Sequence, residues 1–348
     1  MKQNYIYYKI RNEIISGVWG NGDKLPTEIE YSEKFSVARN TLRCAFKMLE
    51  DEGFIERVKS KGTFVKLPRV NPEEKNISLL VPCYEYLCCI PINFMNLMFE
   101  LIAEAAKVGW RVTPVIFSKT NDPKDIWYEN MAHFNPNSRI VINRKWFANY
   151  FPNLAGIGAS VAFINNDSNN EDEYSQYTSQ WMNFIEEDKT AARKAVNYLR
   201  AQGCRKIALV MPFQDVAENS LKSEFCQYSA KFGLDVVLLN INGGNNVELL
   251  KNFYKQEKFD GLIIHSNEMD WSRQNSFRSW FGLSSDFPVV AVPMRIENIY
   301  AAENIPIIEY RIKEMAKDIV DKLISGQCIP CRKSYAPRLM LNGVELDF

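Results

Sequence analysis

The chain has 348 residues, of which 46% are hydrophobic and 24% are charged, and its 42 basic side chains balance 42 acidic ones. This composition excludes a disordered chain, and the length favours two or three globular domains. No apolar run approaches the ~20 residues that cross a bilayer, and residues 1–5 lack the apolar core of a signal peptide. We therefore expect a cytoplasmic protein that makes no contact with a membrane.

The charge is unevenly distributed along the chain. Residues 1–70 contain 13 Lys and Arg against 9 Asp and Glu, a net charge of +4, which leaves −4 for the remaining residues. A basic N-terminal region on an acidic body favours contact between that region and a polyanion such as nucleic acid.

The first 35 residues predict two helices. Ile6, Ile10 and Ile14 recur at every fourth position and give the first helix one apolar face. Thr27 and Glu30 have the spacing of a capping box, in which the hydroxyl and the carboxylate satisfy opposite backbone amides. A short second helix is therefore expected from this box to about residue 35.

A third helix is predicted over residues 38–52, and Gly53 ends it as a left-handed cap. Two short strands, over residues 54–58 and 63–65, flank the basic tip Lys59–Gly62. Three helices followed by a basic hairpin form a winged helix-turn-helix domain. Such a domain presents the start of its third helix to the major groove of DNA.

The side chains at the start of the third helix suit contact with bases. Arg39 and Arg43 are one helical turn apart, so both guanidinium groups can approach guanine edges or phosphates from one face. Asn40 can pair with an adenine edge, and Thr41 can donate to a phosphate or touch a thymine methyl group. The alternative for the two arginines is that they pair with Glu33, with Asp51 or with solvent.

Several short strings follow one another in a fixed order in this region. They are Leu25-Pro26-Thr27-Glu28, Phe35-Ser36-Val37, Arg39-Asn40-Thr41-Leu42-Arg43, Glu52-Gly53-Phe54-Ile55 and Gly62-Thr63-Phe64-Val65. Together they resemble the DNA-binding domain of the GntR superfamily of bacterial transcription regulators. The resemblance implies that the third helix and the wing contact operator DNA, and the candidate residues are Thr27, Arg39, Asn40, Thr41, Arg43, Lys59, Lys61 and Gly62. Ile29 and Ala38 stand where relatives often place polar DNA-contacting side chains, so we expect no such contact from them.

A different pattern begins after residue 67. Residues 68–76 contain two prolines and several polar residues and are predicted to form a linker. Beyond them, short apolar segments alternate with helical ones, which is typical of a parallel, doubly wound sheet. We therefore predict an α/β protein in three parts: a winged helix-turn-helix domain (residues 1–67), the linker (68–76) and a two-lobed effector-binding and dimerisation domain (77–348).

One stretch of the body is more specific than the rest. It runs from Glu187-Asp188-Lys189-Thr190 through Ala195–Leu199 to Gly203–Val210. This stretch resembles the passage from a ligand-binding acid, along a helix, to a buried strand in the effector-binding core of LacI/GalR repressors. That core is itself similar to periplasmic sugar-binding proteins. The resemblance implies two lobes, a cleft between them and a sugar-like effector.

In such a fold the ligand binds between the lobes, at the carboxyl ends of the strands. The candidate effector-binding residues follow predicted strands, and they are Tyr84, Glu85, Asn165, Asp188, Phe213, Ser266, Asn267, Arg295 and Glu309. The resemblance implies that Asp188 holds a ligand hydroxyl. The residues alone leave open that Asp188 instead caps a helix beginning at Thr190.

Catalysis finds little support in the sequence. The chain has two histidines and lacks a G-x-S-x-G, a P-loop and a G-x-G-x-x-G motif. Cys328 and Cys331 form a single C-x-x-C without the further ligands that a zinc site needs, so unlinked thiols are expected. We expect no metal site, no cofactor and no enzymatic activity. An aminotransferase-like body, as in some GntR-type regulators, would require a longer chain.

These features predict a homodimeric transcription regulator that binds double-stranded operator DNA. The favoured interpretation is a repressor of a carbohydrate-utilisation operon, released by a small sugar or sugar derivative. The alternative is a DNA-binding regulator whose body only dimerises or senses a non-sugar metabolite. In the favoured interpretation, a ligand that closes the cleft changes the spacing of two DNA-binding heads and thereby weakens operator binding.

Overall fold

The computed structural model describes residues 2–15, 18–20, 22–51, 53–66, 75–82, 92–117, 131, 134–143, 145–166, 174–211, 216–240, 246–264, 277–280, 282–292, 303–326 and 329–348. Within these residues the chain forms an N-terminal winged helix-turn-helix domain, called the head below, and a body of two α/β lobes. The predicted fold class is therefore confirmed. Most of the predicted linker lies outside the described residues, and its last residue, Asn76, already belongs to a strand.

The head consists of helices followed by an antiparallel hairpin. Its elements are α1 (Lys2–Ile15), α2 (Glu28–Lys34), α3 (Arg39–Asp51), β1 (Ile55–Val58) and β2 (Gly62–Val65). The apolar face predicted for α1 is buried, and it belongs to the same core as Leu42, Phe46 and Leu49 of α3. Each helix of the head thus contributes one apolar face to this core, which also contains Phe151 and Trp181 of the body.

The predicted ends of the head helices are confirmed. Thr27 caps α2 as a capping box: the Glu30 amide donates to the Thr27 hydroxyl, and the Thr27 amide donates to the Glu30 carboxylate at 2.7 Å. Gly53, just after α3, has φ of 80°, the left-handed conformation that glycine adopts without strain. These caps define where α2 begins and where α3 ends.

Lobe 1 is built around a six-stranded parallel sheet with the order β13-β7-β6-β5-β3-β4. Its strands are β3 (Asn76–Pro82), β4 (Arg111–Phe117), β5 (Arg139–Asn143), β6 (Ser160–Asn166), β7 (Met182–Glu186) and β13 (Cys331–Tyr335). Its helices are α4 (Ile92–Lys107), α5 (Phe151–Ile157) and the short α6 (Ser175–Thr178), with a 3-10 segment over Lys145–Tyr150. The chain later returns to lobe 1 from the second lobe and forms the helix α11 (Ile312–Ile324), which packs on α4 in the core.

Lobe 2 repeats this plan with an antiparallel edge. Its sheet has the order β15-β14-β12-β11-β10-β8-β9. The strands are β8 (Lys206–Met211), β9 (Asp235–Asn240), β10 (Gly261–Ile264), β11 (Val289–Ala291), β12 (Ile307–Glu309), β14 (Arg338–Leu341) and β15 (Val344–Glu345). The helices are α7 (Asp188–Ala201), α8 (Val216–Lys231), α9 (Asn246–Glu257) and the short α10 (Phe277–Trp280). Strands β14 and β15 run antiparallel to their neighbours, and the other described pairs in this sheet are parallel.

The described chain passes between the lobes at three places, called the crossings below. The first lies at Glu187, between β7 and α7, and the second at residues 310–311, between β12 and α11. The third lies at residues 336–337, between β13 and β14. The crossings leave the sheets near the β7–β13 edge of lobe 1 and the β12–β14 edge of lobe 2. A cleft between the lobes therefore has these three segments at its base.

Each lobe has its own apolar core. In lobe 1, one face of the sheet is covered by α4 and α11, and the other carries aromatic residues such as Phe151 and Trp181. In lobe 2, α7 buries five apolar residues against the sheet through one side of the helix. Separate cores allow the lobes to move as units about the crossings. Within the described part of the chain, no helix has both the length and the apolarity to span a bilayer.

Candidate nucleic-acid interface and effector cleft

The first turns of α3 are exposed on one side and buried on the other. Leu42 and Phe46 are completely buried, whereas Arg39, Asn40 and Arg43 are exposed. The apolar positions fall every three or four residues, so packing of α3 on the head core turns the polar positions outward. The predicted DNA-contacting side chains of α3 therefore share one accessible surface, with Thr41 half-buried at its margin.

Arg43 is paired within the head, and its partner is neither of the two acidic residues considered from the sequence, Glu33 and Asp51. Arg43 Nη2 lies 3.5 Å from Oε2 of Glu28, the first residue of α2, and not near Asp51. The Arg43 side chain is still 62% exposed, so the ion pair leaves most of the guanidinium accessible. Glu28 was not among the predicted site residues, because it precedes Arg43 by fifteen positions and only the turn between the helices brings them together.

Arg57 on strand β1 contacts both α3 and Glu28 of α2. Its guanidinium lies over the Phe46 ring, 5.6 Å from the centroid, and Nη2 donates to the backbone carbonyl of Arg43 at 3.5 Å. Arg57 also lies 3.4 Å from Glu28 and 3.3 Å from Glu50, the latter at ion-pair distance but without hydrogen-bond alignment. The wing strand is thus attached to the recognition helix at Arg43.

The wing tip has the backbone that its sequence predicts. Lys59 and Lys61 are exposed, and Ser60 and Gly62 adopt φ of 65° and 122°. A Cβ atom on Gly62 would lie 2.7 Å from Cε of Lys24, so a side chain there would be strained and would displace this lysine. Gly62 therefore shapes the turn that presents the two lysines.

Thr27 has a structural role in addition to its predicted one. Its hydroxyl accepts from the Glu30 amide and lies 2.9 Å from the Glu30 carboxylate. The Glu30 carboxylate accepts hydrogen bonds from the Thr27 amide and the Thr27 hydroxyl, and these two bonds, the first more than the second, lower the pKa of Glu30. Contact of Thr27 with DNA stays a prediction.

Buried polar side chains collect where the strands of lobe 1 end near the crossings. Parallel strands bring their carboxyl ends to the same edge of a sheet, where ligands bind in open α/β folds. The buried polar residues at or just beyond these strand ends are Asn143, Asn165, Asn166, Glu186 and Asp188. This edge of lobe 1 provides the polar wall expected of a cleft.

Asp188 is the centre of this group. Its side chain is 3% exposed, Oδ2 accepts from Asn166 Nδ2 at 2.7 Å, and Oδ1 accepts from the Tyr310 hydroxyl at 2.8 Å. Helix α7 begins at Asp188 itself, and Glu187 is the capping residue, whose carboxylate accepts from the Thr190 hydroxyl. The alternative that Asp188 caps a helix beginning at Thr190 is therefore wrong. Contact between Asp188 and a ligand stays a prediction.

Asn143 was missed by the sequence analysis although it ends strand β5. Its side chain is 5% exposed, and within the described residues its Oδ1 atom has no hydrogen-bond partner. A buried amide oxygen without a partner is costly, and a bound ligand hydroxyl could satisfy it. The available signal was its position, because an asparagine directly follows the buried run Ile140–Ile142.

Asn165 and Asn166 point to opposite faces of strand β6. Asn166 is the one that reaches Asp188, whereas Asn165 lines a cavity of about 330 Å³ on the face of the lobe 1 sheet that carries Trp181. That cavity is also bounded by Trp181 and Asn183 and does not include Asp188. The alternation of side chains along a strand separates the two asparagines.

The other predicted effector residues are located as follows. Glu309 ends strand β12, is half-buried and directly precedes Tyr310 at the second crossing. The remaining candidates lie outside the described residues: Tyr84, Glu85, Phe213, Ser266, Asn267 and Arg295. Within the described ranges, no three His, Cys, Asp or Glu side chains come together as metal ligands would.

Comparison with known proteins classifies the head. Residues 2–65 match the family model for bacterial regulatory proteins of the gntR family. The head is a GntR-family domain. Its relatives include an uncharacterised HTH-type regulator, YurK, of Bacillus subtilis, which is 44% identical over 71 residues, 20% of this chain and 29% of that protein. The Uxu operon regulator of Haemophilus influenzae is 46% identical over 56 residues, 16% of this chain and 21% of that protein.

The likeness to curated GntR-type relatives is concentrated in the head. An arabinose metabolism transcriptional repressor of Halalkalibacterium halodurans matches over 128 residues at 28% identity, 35% of this chain and 32% of that protein. The chain thus spans about a third or less of the length of these relatives.

The body behind the GntR domain has the fold of LacI-type regulators. A putative LacI regulator from Bacteroides fragilis superposes with a TM-score of 0.57 at 13% identity, over 78% of this chain and 98% of that chain. A lac repressor dimer bound to operator and an anti-inducer superposes with a TM-score of 0.56 at 12% identity, over 78% of this chain and 94% of that chain. The regulator CelR in complex with cellobiose superposes with a TM-score of 0.55 at 13% identity, over 92% of this chain and 99% of that chain. At these identities the likeness defines the fold, and both predicted resemblances are confirmed at that level.

Proposed function

We propose that this protein is a ligand-responsive transcription regulator that binds operator DNA through its GntR domain. Its physiological role in this proposal is repression of a carbohydrate-utilisation operon, with release by a small sugar or sugar derivative. The supporting observation is the combination of an exposed recognition helix with a two-lobed body in which the buried carboxylate of Asp188 joins two of the three crossings. A regulator of this kind works in the cytoplasm, where the chromosome lies.

The side chains at the lobe 1 edge support a polyhydroxylated effector. Asn143, Asn166 and Asp188 offer amide donors and acceptors and a carboxylate, the groups that pair with vicinal hydroxyls. Relatives of the head include repressors named for arabinose metabolism and for mannosyl-D-glycerate metabolism. Structural neighbours of the body were solved with cellobiose and with lactose. A neutral sugar is accordingly the first effector to test.

Two copies of the chain would place two heads on a pseudo-palindromic operator. The edge strands β4 and β9 lie at the opposite ends of their sheets from the crossings. Near these edges large apolar side chains are exposed: Phe99 and Ile102 on α4, Ile116 on β4, Leu238 on β9 and Leu249 on α9. Exposed apolar side chains at the β4 edge of lobe 1 and the β9 edge of lobe 2 support a homodimer formed through these edges.

The proposal is tested by two binding experiments on the full-length protein. Selection from a pool of random duplexes should enrich a two-fold symmetric sequence. Thermal unfolding with arabinose, cellobiose or lactose should then show a raised melting temperature for at least one sugar, because a ligand that binds only the folded state stabilises it. If the selection enriches no sequence, the proposal that the protein is a DNA-binding regulator is refuted. Enrichment without a response to sugars would favour a body that only dimerises or senses a non-sugar metabolite.

A further inference from the structure

Arg43, the recognition arginine nearest the middle of α3, is contacted by residues of helix α2 and of strand β1. Glu28 belongs to α2, and its carboxylate lies 3.5 Å from Arg43 Nη2 and 3.4 Å from Arg57 Nη1. Glu28 is only 27% exposed at the side chain, so it has less freedom than Arg43, which is 62% exposed. The carboxylate is thus the more fixed member of the pair.

Such a pair restricts where the guanidinium can point. An arginine side chain has many rotamers, and discrimination between bases requires its planar fork to meet a guanine edge in one orientation. Arg57 donates to the backbone carbonyl of Arg43, while Glu28 contacts its side chain. Backbone and side chain of the same residue are therefore both oriented before DNA arrives.

The charge of Glu28 has a second consequence. A phosphate that approaches Arg43 from the α2 side meets a carboxylate, and like charges repel. A guanine edge carries no net charge and meets no such repulsion. The same group therefore leaves base contact possible and opposes the phosphate contacts on which non-specific binding depends.

We propose that Glu28 is a positioning residue that determines specificity: it orients Arg43 for base contact and disfavours its use on unrelated DNA. This inference rests on the proposed function, that the head binds DNA. It assigns to the α2 glutamate a part in DNA discrimination that does not require Glu28 to touch a base.

Glu50 offers a matched control. It lies 3.3 Å from Arg57, as Glu28 does at 3.4 Å, but it has no described contact with Arg43. Glu28→Gln and Glu50→Gln each remove one negative charge from the head. General electrostatic effects on DNA affinity should therefore appear in both variants, whereas an effect through Arg43 should appear only in Glu28→Gln.

The experiment measures two dissociation constants for each full-length variant by fluorescence anisotropy. One probe is the duplex that the wild type selects from a random pool, and the other is a shuffled duplex of the same length and composition. We expect Glu28→Gln to lower the ratio of shuffled to selected Kd about two- to five-fold, the range of an exposed ion pair. Glu50→Gln should change both constants by the same factor and keep the ratio.

A double-mutant cycle separates positioning from a structural effect. In an Arg43→Ala background, Glu28→Gln should no longer change the ratio, because its effect passes through Arg43. The inference would be overturned if Glu28→Gln alone left the ratio of shuffled to selected Kd unchanged. It would also be overturned if Glu28→Gln lowered that ratio equally in the wild-type and Arg43→Ala backgrounds. A wild type that prefers no duplex would overturn the proposed function together with it, whereas a preference that Glu28→Gln leaves intact overturns the inference alone.

Discussion

The Tyr310 hydroxyl donates a 2.8 Å hydrogen bond to Oδ1 of Asp188 and thereby joins two of the three crossings between the lobes. Asn166, at the end of a lobe 1 strand, donates to the other carboxylate oxygen. Both oxygens of a buried carboxylate are thus used at the place about which the lobes would move. A ligand hydroxyl that approaches Asp188 has to share or replace these partners, and this would link binding to the relative position of the lobes.

Loss of the Tyr310 hydroxyl should weaken this junction. Tyr310→Phe keeps the ring and removes the donor, so Asp188 loses a partner for one buried oxygen, at a cost of about 1 kcal/mol. Thermal unfolding of the body should begin at a lower temperature in this variant. The control is Tyr198→Phe, the same change on α7 at a ring that packs on Phe348. Equal melting temperatures for Tyr310→Phe and the wild type would show that the bond adds nothing to stability.

Removal of Arg43 should weaken operator binding. Arg43→Ala deletes a fork capable of two bonds to one guanine, and we expect the Kd for the selected duplex to rise about ten-fold or more. Effector-induced stabilisation of the body should be unchanged. Arg205→Ala removes an exposed guanidinium from lobe 2 and serves as the control for charge. An unaltered operator affinity in Arg43→Ala would contradict the assignment of α3 as the recognition helix.

Glu13 should make the stability of the head depend on pH. Burial disfavours its charged form, but hydrogen bonds from Lys34, Trp19 and Tyr31 outweigh burial and bring the pKa below its ordinary value of 4.5. Because the folded-state pKa is the lower one, the stabilisation is complete well above pH 4.5 and is lost as the pH falls through the folded-state pKa.

Hydrogen exchange of peptides from α1 and α2 can measure this dependence. At pH 7 these amides should exchange faster in Glu13→Gln than in the wild type, and the difference should shrink as the pH falls below 4.5. Comparison of the two proteins at each pH removes the intrinsic pH dependence of exchange. A difference that stays constant from pH 7 to pH 3.5 would show that the charge of Glu13 is not the cause.

The dimer surface can be tested with one charge. Phe99 is 58% exposed on α4, and Phe99→Asp would place a carboxylate in an apolar contact without disturbing the lobe 1 core. Sedimentation should show a shift from dimer to monomer. Ile329→Asp, at a residue 68% exposed just before β13 on the other edge of the sheet, should leave the dimer intact. Dimers of unchanged stability in Phe99→Asp would move the interface elsewhere.

Local sequence signals were sufficient for the head. The capping box, the glycine cap and the spacing of the apolar residues act over one or two helical turns, and all three are present where the sequence predicted them. The main elements of the body were also predictable, because buried parallel strands appear as continuous apolar runs between helices.

Other elements of the body were missed for physical reasons. Strand β7 (Met182–Glu186) contains Asn183 and ends in a glutamate, so it lacks a continuous apolar run, and its burial comes from its central place in the sheet. Helix α5 (Phe151–Ile157) contains a proline and a glycine, which normally argue against a helix, but the proline lies in its first turn. Both elements depend on tertiary packing.

The site was the least predictable part. Asn166, Asp188 and Tyr310 are separated by 22 and 122 residues, and the strand register decides that Asn166, not Asn165, reaches Asp188. A change of one residue in register reverses the faces of a strand, and a single sequence does not specify that register. Glu28 was not recognised as the partner of Arg43 because the two residues are fifteen positions apart and only the turn between α2 and α3 brings them together.

The effect of an effector on operator affinity tests the proposed function most directly. The Kd of the full-length protein for its selected duplex is measured without sugar and with a saturating amount of the sugar that raises its melting temperature. We predict that the sugar raises this Kd about 5- to 150-fold, the usual range of allosteric coupling. The change should disappear in Asp188→Ala while its operator affinity without sugar is retained. A sugar that binds the wild type and leaves its operator affinity unchanged would contradict a sugar-responsive regulator.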